Sequence, residues 1–376
     1  MMHYLPESLP EQIIFYISLG AAFVQVLYYL ILFSRLAFHK PVKPAISEEP
    51  FSIVMAAKNE ADNLRENLKD LLIQQHPRYQ VVVVNDCSWD STQTILEEYA
   101  DAYPHLKITT LIEQEKYRHG KKFALAIGIK GAAYEKLVFT DADCRPASLQ
   151  WAPMMASCLK DEKQIVIGYG AYKKEKGLLN TWIRFDTAFN AMQYLSYSLA
   201  GIPYMGTGRN LAYTRQLFFK NKGFAKHHHL LSGDDDLFVN AVADKKNTTV
   251  LLHPDAFTFS KAEKTFAGWL KQKRRHMSAS LYYRFSHRLL LGGFYASQIL
   301  FYASIIILLL LKTHYALIVS VFLFRLLFVL PVMALAFSKL KEKGLLIFTL
   351  FFDVFLTFLY PILAFINLFN KKHTWK

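Results

Sequence analysis

Residues 13–33 carry no charged side chain, and Arg35, His39, Lys40 and Lys43 follow at once. A helix needs roughly 20 apolar residues to cross a bilayer core. Backbone groups in lipid must bond within their own segment, so a run of this length is confined to a helix. No basic region precedes the run and no small-residue cleavage site follows, so it reads as a span rather than a signal peptide. Three further spans are predicted at Leu289–Leu311, Tyr315–Phe337 and Leu345–Phe369, the first two separated only by "KTH". Positive flanks favour the cytoplasm. Arg284, Arg288 and the "KLKEK" turn at Lys339–Lys343 therefore place the long polar middle on that side, as a multi-pass protein of the cell (inner) membrane. Four spans then leave the tail "KKHTWK" outside, against the rule. Either the tail is an exception or one C-terminal span does not cross fully.

The chain thus divides into residues 1–45 (first span and linker), 46–260 (cytoplasmic domain), 261–288 (interface helix) and 289–376 (C-terminal spans). The formal net charge of +14 has a topological explanation, because basic clusters hug the spans and meet anionic membrane lipids. No aromatic-basic pattern supports nucleic acid as a partner. Cys87, Cys144 and Cys158 show neither metal-ligand spacing nor an even disulfide framework.

In the polar middle, strand-like runs alternate with helical ones: "FSIVMAA" (51–57), "YQVVVVND" (79–86) and "KITTLIE" (107–113), each followed by a helical pattern, and then "KLVFT" (136–140). Such alternation predicts an α/β fold with a parallel sheet covered on both faces. Polar residues fall at the strand ends, where open α/β sheets bind ligands: Asn59 and Glu60, Asp86, then Asp141 and Asp143. Helix capping explains Asn59 or Asp86 singly, but not two aspartates one residue apart. Such carboxylates repel each other, and a hard divalent cation, Mg²⁺ or Mn²⁺, is the simplest compensation. Lys121 and Lys122 follow Gly120 at a helix entry, a place suited to phosphates.

These residues resemble the membrane-bound family-2 glycosyltransferases, which include cellulose, chitin and hyaluronan synthases and ceramide glucosyltransferase. The resemblance runs from about Ser52 to His276 and rests on "SIVMAAKNEADNL", "VVVVNDCSWDST", "HGKKFALAIGI", "TDADC", "MGTGRNLAYTR", "SGDDDLFVN" and "QKRRH". It implies a GT-A-type, Rossmann-like nucleotide-diphospho-sugar transferase domain joined to transmembrane α-helices. It also implies a sugar nucleotide as donor, a UDP-sugar in the first instance, held by Ala57, Asn59, Glu60, Asp86, Lys121, Asp141, Gln272 and Arg275. Asp143 with Asp141 would hold the metal, and Asp235 would be the catalytic base. Gly208, Arg209, Asp234 and His276 would face the acceptor, a lipid or a glycan of the cell envelope. His276 stands where the family carries tryptophan, which argues against processive polymerisation.

The residues suit direct displacement: metal and lysine stabilise the leaving diphosphate, while a base removes the acceptor proton from the opposite face of the sugar. Asp234 and Asp236 crowd Asp235 and raise its proton affinity. Helix capping by "GDDD" is the competing explanation for these acids. From Phe266 to Phe285, apolar residues recur near helical period with Lys271, Lys273, Arg274 and Arg275 between them, which predicts an interface helix. On it Gln272 and Arg275 share one face. "KHHHLL" (226–231) invites a zinc reading but lacks spaced ligands. Arg325 and Asp353, lone charges in their spans, are expected to pair. Two alternatives remain: a processive polysaccharide synthase, and a non-catalytic scaffold or translocation partner on the same fold.

Overall fold

The computed structural model describes residues 8–113, 120–227, 230, 233–312 and 315–369. It forms two compact units, one holding the chain up to His39 and again from Arg284, the other Lys40–Tyr283. The helical unit opens with α1 (Leu9–Leu27), which continues through a π-helical stretch (Tyr28–Phe33) into α2 (Ser34–Ala37).

The α/β unit begins with β1 (Phe51–Ala57), α3 (Ala61–Leu72), β2 (Tyr79–Asp86), α4 (Thr92–Ala102), β3 (Leu106–Leu111), α5 (Lys121–Gly131) and β4 (Lys136–Phe139). All seven residues of β1 are buried, as a strand paired on both edges and covered on both faces requires. Helix α3 buries Ala61, Leu64, Leu68 and Leu71, the i, i+3, i+7, i+10 stripe of an amphipathic helix. Helix α5 lies close on the sheet at Gly128, where a β-carbon would stand 2.8 Å from Val54 Cγ1 and 3.0 Å from Val84 Cγ2.

The chain continues through β5 (Cys144–Pro146), α6 (Trp151–Ser157), β6 (Ile165–Ile167), β7 (Gly170–Tyr172), α7 (Leu178–Leu199), β8 (Leu211–Thr214), α8 (Arg215–Lys220), α9 (Asp236–Val242), β9 (Thr248–Val250), β10 (Thr258–Ser260) and α10 (Phe266–Ser280). The main sheet has the order β3-β2-β1-β4-β8-β6-β9, and a smaller one the order β5-β10-β7. The first four strands are parallel, but β8 runs antiparallel to both β4 and β6. The sheet is therefore mixed, not parallel throughout as the alternation predicts. The reversal has a use. Phe139 at the end of β4 pairs with Leu211 at the start of β8, so the loop entering β8 lies beside the loop leaving β4.

In the helical unit, α11 (Phe285–Leu310), α12 (Tyr315–Lys339) and α13 (Thr349–Phe369, preceded by a 3-10 turn) complete the set. Among the described residues, four helices are long and apolar enough to cross a membrane: Leu9–Ala37, Phe285–Leu310, Tyr315–Lys339 and Lys343–Asn367. The lone charges predicted to pair do so, Arg325 Nη2 lying 2.6 Å from Asp353 Oδ2. Tyr302 Oη donates to Asp353 Oδ2 (2.6 Å), Gln298 Nε2 to Asp353 Oδ1 (2.8 Å) and Arg325 Nε to Gln25 Oε1 (2.5 Å). The tail whose side was in question lies outside the described residues.

Candidate active site

The carboxyl ends of β1 and β2 meet through loop contacts. Asn59 takes a positive φ of 54°, its N–H donates to Ser88 Oγ (2.9 Å) and its Oδ1 accepts from Trp89 N (3.0 Å). Glu60 N donates to Thr92 Oγ1 (2.9 Å) and Glu60 Oε2 accepts from Asn63 Nδ2 (2.5 Å). Ala57 and Asp86 are buried at the two strand ends. Asn59 and Glu60 thus tie the two loops together, while Glu60, at the N-cap position of α3, makes no side-chain cap bond.

The charged centre is assembled from three remote parts of the chain. Lys121, the first residue of α5, places Nζ 2.8 Å from Asp141 Oδ1 and 3.0 Å from Asp234 Oδ2. Asp235 stands beside Asp234, its Oδ2 accepting from Gly208 N (2.6 Å) and its Oδ1 from Asp236 N (2.8 Å). The second bond makes Asp235 the N-cap of α9, so the capping role is also fulfilled. A β-carbon at Gly208 would lie 3.4 Å from both Asp235 Oδ2 and Lys121 Nζ, so the loop entering β8 presents bare backbone to this group. Lys121, Asp141, Gly208, Asp234 and Asp235 line one small open cleft.

The protonation pattern follows from this packing. Burial alone disfavours the Lys121 ammonium, but Asp141, Asp234 and Asp235 hold its pKa well above the ordinary lysine value. Burial opposes ionisation of Asp141 as well; Lys121, then Arg209 and Arg275, outweigh it and hold the carboxyl below its usual range. Asp143 shifts the other way, raised by burial and by Asp141. Asp235 is pushed up to about 6 by burial and then by Asp234, against the pull of Lys121. Asp236 is pushed up to about 8 by burial and Asp235, and its Oδ2 accepts from Tyr283 Oη at 2.8 Å.

The ligand atoms of Asp141, Asp143 and Cys144 lie within 4.8 Å of one another. Two packed carboxylates, one resisting ionisation through burial and then through the other, suit a divalent cation. Cys144 was not expected here, since spacing between cysteines says nothing when the partner ligands are aspartates. All three cysteines are free thiols.

Arg209 reaches the same centre from the loop before β8. Its guanidinium lies 4.5 Å over the Tyr172 ring and Nη1 donates to Ser260 Oγ (2.9 Å). Its charge lowers the proton affinity of Asp141 and Asp143. Tyr172 Oη donates to Gln272 Oε1 (3.2 Å) on α10, so Gln272 and Arg209 are joined through one ring. Arg275, three residues on, acts electrostatically on Asp141, and His276 is exposed.

Several sequence readings need correction. Lys122 is not available to a phosphate: it is buried, with Nζ donating to His227 O (2.8 Å) and Leu230 O (3.1 Å). Adjacent helical residues point about 100° apart, so only Lys121 faces the site. Helix α10 ends at Ser280 and Phe285 opens α11, so the periodic pattern does not mark one helix throughout. Lys273 is no free basic anchor, pairing instead with Asp186 at 2.8 Å. The zinc reading of 226–231 rests on residues that are partly outside those described. Asn210 was missed altogether. It is buried, donates to Tyr169 O and Ala256 O, and accepts from Trp151 Nε1.

The sequence matches the profile of glycosyl transferase family 2 over residues 52–221 and that of glycosyl transferase family group 2 over residues 139–366. A probable glycosyltransferase, YdaM of Bacillus subtilis, is 25% identical across 72% of this chain and 66% of its own length. The glycosyltransferase AglE of Haloferax volcanii is 28% identical across 54% and 65%. The hyaluronan synthase of Streptococcus pyogenes is 24% identical across 61% and 58%. The chain thus spans just under two thirds of these relatives. Among solved structures, the mannosyltransferase PcManGT of Pyrobaculum calidifontis, in complex with GDP-Man and Mn²⁺, superposes with a TM-score of 0.60 at 19% identity. That superposition covers 89% of this chain and 99% of the other, and it fixes the GT-A-like fold. With family profile, fold and acidic centre in agreement, the chain belongs to the family-2 glycosyltransferases.

Proposed function

We propose that this glycosyltransferase moves a sugar from a nucleotide donor to a lipid-linked or short-glycan acceptor, with inversion at the anomeric carbon, at the cytoplasmic face of the membrane. The observation that carries the reading is the bridge from Lys121 to both Asp141 and Asp234, with Asp235 adjacent. It joins a diphosphate-binding cation to the carboxylates of the acceptor side. Lys121 and Arg275 would bind the diphosphate, while Asp86 and the Asn59–Glu60 loop receive the nucleoside. Asp141 and Asp143 are the residues to hold Mg²⁺ or Mn²⁺, which when bound neutralises charge on the leaving diphosphate. Asp235, fixed by Gly208 N and Asp236 N, takes the acceptor hydroxyl's proton as the oxygen attacks the anomeric carbon. The glycosidic bond to the diphosphate breaks as the new one forms. One displacement from the opposite face inverts the centre, and no covalent sugar intermediate is required.

Basic flanks at Arg35, Lys40, Lys43 and Lys339–Lys343 support the cytoplasmic placement. The donor is a UDP- or a GDP-sugar; PcManGT, of like fold, was solved with GDP-Man. A chain-extending synthase is the second reading, supported by similarity to the hyaluronan synthase. The test uses the full chain in detergent with UDP- and GDP-sugars, Mn²⁺ or Mg²⁺, and total membrane lipids as acceptor. Release of nucleoside diphosphate that is abolished by EDTA and by Asp143→Asn is expected, with opposite anomeric configurations in donor and product. Retained configuration overturns the inverting mechanism, and products of many added sugars favour the synthase. No release with any donor returns the chain to a non-catalytic role.

A further inference from the structure

Helix α7 has one acidic residue among its 22, Asp186, and it is buried. It is not stranded. Both carboxylate oxygens accept from Lys273 Nζ on α10, at 2.8 and 2.9 Å, and Oδ1 also accepts from Asn190 Nδ2 (3.0 Å). The two side chains of the pair are 12% and 7% exposed, so the contact is screened little by solvent. Four residues before Lys273, Trp269 packs edge-on against Trp182 of α7, ring centroids 5.5 Å apart. Trp269, Gln272, Lys273 and His276 follow an i, i+3, i+4, i+7 spacing and form one stripe of α10. The stripe is held at Trp269 by an aromatic contact, at Gln272 by Tyr172 and at Lys273 by Asp186. Arg275, three residues after Gln272, stands on the flank of the helix beside it.

We infer that Asp186 is a positioning residue for the transfer: through Lys273 it fixes the rotation of α10 so that Arg275 faces the acidic centre at Asp141. The geometry explains why an ion pair stands here at all. A buried pair adds little stability over apolar packing of the same volume, and the use assigned to it here is to specify a single register. The Trp182–Trp269 contact and the two-oxygen contact at Asp186 together restrict rotation of α10 about its axis more than either does alone. In this reading Asp186, bonded to Lys273 and Asn190, acts through the helix.

The inference rests on the reading that Arg275 binds the donor diphosphate, and one set of variants separates the two. Binding of UDP and GDP with Mn²⁺ is measured by calorimetry on the full chain in detergent, beside thermal unfolding. Arg275→Ala is expected to weaken the preferred nucleotide about tenfold or more, as is Asp186→Asn, since small misplacements at a site are costly. The double variant should be no weaker than Arg275→Ala alone, because Asp186 acts through that side chain. A charge swap, Asp186→Lys with Lys273→Asp, should restore part of the affinity. If Arg275→Ala leaves binding unchanged, the diphosphate reading of Arg275 falls and the inference falls with it. If Arg275→Ala weakens binding while Asp186→Asn does not, or the two losses add fully, the inference alone is overturned. Asp186→Asn that lowers the unfolding temperature with nucleotide affinity intact marks a purely structural pair and likewise overturns it. Should Asp186→Asn not fold, the paired neutral variant Asp186→Asn with Lys273→Gln, which leaves no uncompensated charge, is read in its place.

Discussion

At the scale of single residues the site works through opposed proton affinities. Asp235, raised to about 6, must be ionised to accept a proton. The rate therefore holds above that value and falls about tenfold per pH unit below it. A profile of kcat/KM against pH should show one ionisation on its acid limb, and Asp235→Asn should lose the limb together with roughly 10²–10⁴ of the rate. Gly208→Ala is expected to fold normally, because its methyl would meet Asp235 and Lys121 at 3.4 Å, ordinary contact distance. It would nonetheless occupy the cleft, so transfer should drop at unchanged unfolding temperature. Asp141, Asp143, Lys121 and Asp235 could be picked out of the sequence because each ends a strand or opens a helix in a short motif. Asp186 could not be paired in the same way, since Lys273 lies 87 positions away. With Arg184 two residues before it in the same helix, it did not even carry the solitary-charge signal that marked Arg325 and Asp353.

At the scale of elements, the alternation of strand and helix announced the parallel half of the sheet, where each helix returns the chain to the same edge. It did not announce β8, because a reversed strand of four residues has no periodicity of its own to declare direction. Yet the reversal is what brings Gly208 and Arg209 against Asp141. The other element that carries the site is α5, whose first residue is Lys121 and whose distance from the sheet is set at Gly128. A β-carbon there must displace Val54 or Val84, both fully buried. Gly128→Ala is expected to cost about 1–3 kcal/mol by overpacking, and to weaken nucleotide binding as the helix lifts. Thermal unfolding and calorimetry on the same sample check both. Unchanged affinity in a destabilised variant would detach Lys121 from the donor.

At the scale of the whole molecule, four long apolar helices accompany the α/β unit, and one buried polar group runs through them. Replacing Arg325 by methionine removes the cationic partner of Asp353 and leaves it only the bonds from Gln298 and Tyr302, a change that typically costs about 3–5 kcal/mol when one partner of a buried pair is lost. The reciprocal exchange Arg325→Asp with Asp353→Arg should recover part of the loss, read as unfolding temperature in detergent; no recovery would mean that the surrounding bonds from Gln25, Gln298 and Tyr302 accept only one polarity. The pair also sets an order of events during synthesis. Arg325 leaves the ribosome before Asp353, so α12 emerges with Gln25 and Tyr302 available to its guanidinium but without its carboxylate partner until α13 follows. A nascent chain halted at residue 345 should accordingly be a substrate for membrane quality-control proteases, and Arg325→Leu in that same fragment should spare it.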